Sequence, residues 1–185
     1  SIKVEENLSK KLENPNKDIE KSIRIKMVEP KDNISEIILP KSLLEKAINK
    51  KVDNIKLSSE QSLIEVKSDF LGKNIEDDII VKLEKKNKET LVIFSQGDKD
   101  IDILKTPIKI TLPYDENYTN ENNITVILVT EGETTENLGG IYDKNSKNIK
   151  FLTHKLGRFI VKENKVEFND LSNYSWAIEA INSMA

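Results

Sequence analysis

Asp78-Ile79-Ile80-Val81-Lys82-Leu83, then Glu84-Lys85-Lys86-Asn87-Lys88-Glu89, then Thr90-Leu91-Val92-Ile93-Phe94 is the stretch on which the fold turns. Its outer parts are short apolar runs rich in Ile and Val, bounded by charge, which is the pattern of β-strands. Its middle part is almost all charge and is predicted as a hairpin loop. Gln96-Gly97-Asp98 supplies the next turn signal.

Working outward, Ile23, Ile25 and Met27 alternate with Arg24 and Lys26, a half-buried strand. Glu29-Pro30 opens a turn, and Glu36-Ile37-Ile38-Leu39 is a strand stopped by Pro40. Leu43, Leu44 and Ala47 then recur at helical spacing behind a proline suited to a first turn, predicting a helix over 41–49. Further strands are expected at 54–57, 62–66, 108–112, 124–129, 148–152, 159–162 and 165–168.

Short strands at regular intervals, parted by Asn, Asp and Gly, predict a mainly β chain. The expected architecture is an antiparallel β-sandwich, one or two small packed β subdomains, with one internal helix and a C-terminal helix. An all-helical fold needs a sustained 3.6-residue period that most of the chain lacks. The organisation reads as a polar lead-in or loosely held strand at 1–21, β subdomains at 22–104 and 105–166, and a helical segment at 167–185. There Trp176, Ala180 and Ile181 share a helix face that Ser172 or Asn173 can cap. Leu39-Pro40 before Asn54-Ile55 is weakly echoed by Leu112-Pro113 before Asn123-Ile124.

Composition removes much chemistry. The chain has 185 residues, 37% hydrophobic and 33% charged, with a formal net charge of −3. That balance argues against a nucleic-acid binder built on phosphate contacts. No apolar run reaches the ~20 residues of a membrane helix. Without Cys, thiol catalysis, zinc–thiolate sites, iron–sulfur clusters and disulfides are excluded, and with His154 alone so is any multi-histidine site.

Asp98, Asp100 and Asp102 form D-x-D-x-D, which could offer carboxylate oxygens to calcium; with Ile101 and Ile103 interleaved, it reads better as a strand with one charged face. Asn and Asp in 115–123 and 143–148 suit turn backbones without any ligand. Asn117-Tyr118-Thr119 and Asn123-Ile124-Thr125 match the glycosylation acceptor pattern, a short motif that arises often by chance. Gly139-Gly140 before Ile141-Tyr142-Asp143 is a hairpin signal, not a phosphate loop. With 32 acids, any carboxylate pair is found by chance. His154 reads as structural. No catalytic, metal or cofactor-binding residue and no cofactor is assigned.

Phe168-Asn169-Asp170-Leu171, a short spacer, then Trp176-Ala177-Ile178-Glu179-Ala180-Ile181 resembles the opening of an S-layer homology repeat, F-x-D-(V/L) followed by W-A-x-x-A-I. The Gly-containing turn and Thr-Arg-Ala-Glu stretch that continue such a repeat do not follow before Ala185. Pro107 to Tyr114, Ile124 to Val129, Gly139 to Asp143 and Ile149 to Val161 are similar to a β module that often precedes these repeats in surface proteins of Gram-positive anaerobes. Lys155 stands where that module usually has His, and His154 falls one place early, which weakens any ligand role for the histidine. The resemblance implies a non-enzymatic structural or spacer domain of an S-layer-associated protein, extracellular, at the wall of a Gram-positive bacterium. The implied partner is the secondary wall polysaccharide, reached through complete repeats rather than this stretch, with neighbouring surface proteins as further contacts, no nucleic acid and no membrane insertion. The alternative is an extracellular carbohydrate- or protein-binding β-sandwich module, as in an appendage of a surface hydrolase.

Overall fold

The computed structural model describes residues 4–7, 20–27, 33–59, 62–72, 75–130 and 134–164. In chain order the elements are β1 (Val4–Asn7), β2 (Ser22–Lys26), β3 (Ile34–Leu39), α1 (Lys41–Asn49), β4 (Asn54–Ser58), β5 (Leu63–Lys67), β6 (Ile79–Lys86), β7 (Glu89–Gln96), β8 (Lys99–Asp100), β9 (Ile103–Pro113), a 3-10 turn (Glu121–Asn123), β10 (Ile124–Val129), β11 (Thr135–Gly139), β12 (Ile141–Asp143), β13 (Asn148–Lys155) and β14 (Gly157–Glu163). The antiparallel-rich β-sandwich with an internal helix is therefore observed. The expected strand at 165–168 and the C-terminal helix lie outside the described residues.

Two sheets carry the fold. Sheet A runs β1-β2-β4-β5-β9-β13-β12, and sheet B runs β11-β10-β14-β7-β6-β3, with β8 beside β7. Among the described strands all pairs are antiparallel except β2 with β4. That one parallel pair follows from the path: after β2 the chain crosses to sheet B as β3, turns through α1, and re-enters sheet A as β4. The echoed Leu-Pro steps fall at two of the chain's changes of sheet, from sheet B to A after Pro40 and from A to B after Pro113. The step from residue 104 to 105 lies inside β9, and hydrogen-bonded pairs β5–β9 and β7–β14 join the two sides of it in both sheets. Val4–Asn7, in the expected lead-in, pairs with β2.

Period-two burial builds the core. In β4, Ile55 and Leu57 are buried between half-buried Asn54, Lys56 and Ser58; β7 buries Thr90, Val92 and Phe94. Inward side chains of both sheets form one cluster that also takes in Leu44 and Ala47 of α1. Phe70 meets Phe94 edge-on at 5.7 Å, and Phe151 meets Phe159 at 5.2 Å. Each fully buried aliphatic or Phe side chain contributes about 1.5–3 kcal/mol. Pro40 cannot cap α1 with a side chain, and the Lys41 N–H is instead taken by the Asp78 carboxylate at 2.8 Å.

One expectation needs correcting. Glu84–Glu89 is not a loop: β6 continues to Lys86 and β7 begins at Glu89, with Lys86 paired to Glu89. A two-residue turn with Asn87 at φ 56 suffices, since Asn tolerates the left-handed region. The charges alternate along solvent-facing strand ends and need no loop to be solvated.

Candidate functional site

The outer face of sheet A is the most distinctive surface. Strand register lines up Arg24, Lys56, Glu65, Lys109 and Leu152 across β2, β4, β5, β9 and β13. The next row is Lys26, Ser58, Leu63, Thr111, Lys150 and, on β12, Ile141. Lys67 adds a further cation at the other end of β5. Among the described residues, acids on this face are Glu65 and Asp143, with Asp115 at its edge and Glu5 opposite Arg24 in backbone register. A basic face on a chain of net charge −3 means that the negative charge lies elsewhere.

Glu65 organises the first row. Its carboxylate accepts Lys56 at 3.0 Å on one oxygen and Lys109 at 2.8 Å on the other. Its side chain is 13% exposed. Burial pushes its pKa up, but the hydrogen bonds and charges of Lys109 and Lys56 outweigh that and hold it below the usual carboxylate value. A carboxylate engaged on both oxygens and held ionised is a fixed anion, poorly suited to take a proton in catalysis.

A groove of about 750 Å³ lies over this face. Its floor and walls include Arg24, Lys56, Ser58, Ser62, Thr111 and Asn148. One rim is the Asp115–Lys147 pair, closed at 2.6 Å. Ser62 is 4% exposed and its hydroxyl has no hydrogen-bond partner. The outer face of sheet B differs: Ile34, Glu84, Leu91, Arg158 and Val129 form one row there. A second groove, about 490 Å³, is lined by Leu91, Ile93, Ile101, Ile103 and Val129 beside Asp102 and Arg158.

Asp98 lies in the β7–β8 turn, Asp100 in β8 and Asp102 just before β9, all exposed. Among the described residues, no three His, Asp or Glu side chains stand close enough to share a metal ion. Asp102 uses its carbonyl to accept the Leu156 N–H at 2.9 Å. His154 is exposed, with Nδ1 3.3 Å from the Leu104 carbonyl oxygen. Hydrogen bonds from Ser146 and from the Asn145 N–H, the latter at 2.9 Å, hold the pKa of the Asp143 carboxylate low. Asn120 accepts the Asn122 N–H, and Glu163 accepts the N–H groups of Thr119 and Asn120 at 2.9 and 2.8 Å. These polar loops are satisfied by their own Asn and Asp side chains and by Glu163 at the end of β14. Thr125 is buried and bonded to Asn137, whereas Asn117 is exposed.

Three tyrosines pack edge to face at one end, Tyr114–Tyr142 at 5.9 Å and Tyr118–Tyr142 at 5.4 Å. The Tyr142 hydroxyl donates to the Tyr114 carbonyl, which ties this cluster beneath the loop rather than offering it as a flat platform. The basic face had a partial signal in the sequence: its cations are the polar alternates of expected strands. Register, which stacks them, was the missing piece. No protein-family model, curated protein or solved structure significantly matches this chain.

Proposed function

We propose that this chain is a non-enzymatic structural spacer of an S-layer-associated surface protein, held at the wall of a Gram-positive bacterium through S-layer homology repeats opening near Phe168. The observation that carries the reading is the sharing of both sheets between the two halves of the chain, around one apolar cluster. A spacer must transmit force without internal joints. Strand pairs that bridge the halves oppose such a joint, because separating them breaks ladder hydrogen bonds and exposes core together.

Three further features support it. Glu65 is fixed between two lysines rather than poised for proton transfer. The Asn- and Asp-rich loops satisfy their own backbones. The Trp176-Ala177-x-x-Ala180-Ile181 pattern supplies the link to wall anchoring. Anchoring belongs to complete repeats, so the secondary wall polysaccharide is the partner of those repeats.

The test is placement in the cell. An antibody raised against this chain should label intact cells of the source bacterium and follow the wall fraction. Labelling that needs permeabilised cells, with the chain in the soluble internal fraction, would overturn the proposal.

A further inference from the structure

We infer that the groove on the outer face of sheet A binds an acidic polysaccharide, with Arg24 and Lys26 meeting its carboxylates. This goes beyond the spacer reading and stands or falls separately from it.

Charge selects an anion. Of the groove's cations, Lys56 is engaged by Glu65 at 3.0 Å and Lys147 by Asp115 at 2.6 Å. Arg24 lines the groove and Lys26 stands two residues along the same strand, opposite Ser58. Both are exposed, and neither forms an ion pair with any side chain described beyond β1. Both have capacity left for a ligand, and the Arg24 guanidinium can grip a carboxylate through two N–H groups.

Shape selects a chain. The lining comes from β2, β4, β5, β9 and β13, five adjacent strands of sheet A. At about 4.8 Å between neighbours this makes a track about 20 Å long. The volume, about 750 Å³, falls within the ~300–1,000 Å³ of ligand sites. The track is open along the face, so a polymer can pass through it.

The neutral lining selects a sugar. Ser58, Ser59, Ser62, Thr111, Ser146 and Asn148 offer hydroxyl and amide groups that both donate and accept. A sugar ring presents the same kind of group at every carbon. The unpartnered Ser62 hydroxyl is the sort of buried group that a polar ligand can satisfy after a small shift. Duplex DNA fits less well. It carries about one charge per 1.7 Å of axis and needs a dense row of free cations, while here two of the groove's three cations are already paired.

The experiment is calorimetric titration of the chain with polygalacturonate, with dextran as the neutral sugar polymer and a short DNA duplex as the other polyanion. Two paired variants carry the same charge change on opposite faces: Arg24→Glu with Lys26→Glu on sheet A, and Lys99→Glu with Lys162→Glu on sheet B. The neutral pair Arg24→Gln with Lys26→Gln serves if the first does not fold. The expected result is binding of polygalacturonate and not dextran, about tenfold weaker between 50 and 300 mM salt. The sheet A variants should lose about tenfold or more, the sheet B pair less than about twofold, as short-range contacts require. No binding of polygalacturonate, equal loss in both pairs, or DNA bound as tightly would overturn the inference.

Discussion

At the residue scale, Thr106 and Glu65 show how polar groups are treated in this sandwich. Thr106 shares the inward parity of Leu104 and Ile108 on β9, and its hydroxyl is buried without a hydrogen-bond partner. Thr106→Val keeps the branched shape and removes the unsatisfied oxygen. It should stabilise the fold by about 1 kcal/mol, read as a raised midpoint in chemical denaturation. Glu65 works the other way. Its folded pKa lies below the usual 4.5, so its stabilising effect is complete above that value and fades as pH falls through the lowered one. Glu65→Gln should cost about 1–2 kcal/mol at pH 7, since it leaves Lys56 and Lys109 without their shared anion. The gap between the two proteins should close under acid, which denaturation curves at pH 7, 4 and 3 would measure. A gap independent of pH would show that charge is not what Glu65 contributes. Neither residue's role was legible in the sequence. Thr106 lies before the strand expected at 108–112 and faces the core only because β9 begins earlier, at Ile103, while Glu65 read as a polar member of a strand and register alone places it between two lysines.

At the element scale, the strands that were legible are those with an apolar inner face. β2, β4, β7 and β10 carry Ile, Val, Leu or Phe at alternate positions, and burial follows that alternation closely in the first three. β8, β11 and β12 were not readable as strands because they are short and mostly exposed, so no hydrophobic pattern marks them. Their pairing comes from neighbours: Gly97-Asp98 turns β7 back into β8, whereas Gly139-Gly140 is no hairpin turn and carries the chain from β11, paired with β10 in sheet B, to β12, paired with β13 in sheet A. A further element-level feature is the corner between β13 and β14. One chain segment passes from sheet A to sheet B across Leu156 alone. Thr153 receives the Lys155 N–H at 3.0 Å beside a shift of register, the kind of bulge at which strands change sheets. Gly157 completes the corner at φ +146, where a Cβ would stand 3.2 Å from Leu128 and 3.3 Å from the Val129 carbonyl. Gly157→Ala should cost about 1–3 kcal/mol, seen as a lower melting temperature with unchanged strand content. Melting at the wild-type temperature would mean that the corner is not constrained as described.

At the scale of the whole molecule, the two outer faces divide the labour of solvation. Sheet A turns outward lysines, an arginine and hydroxyls at its β2–β5 side with exposed Ile103, Ile141 and Leu152 toward β9, β13 and β12, and sheet B sets aliphatic side chains among charged ones. The fold class was legible because strand spacing and turn residues repeat along the whole chain. The groove was not, since it is made by five strands that are scattered in sequence. The sharing of sheets was hidden for the same reason: β9 reads as a local strand, yet it joins β5 to β13. From this sharing comes the claim that the sandwich bears tension as one piece. Pulling single molecules by their two ends tests that claim most directly. The account predicts that the chain from Ser22 to Glu163 gives way in one event, lengthening by roughly 50 nm at about 3.5 Å per residue. Two separate, shorter lengthenings at distinct forces would contradict it.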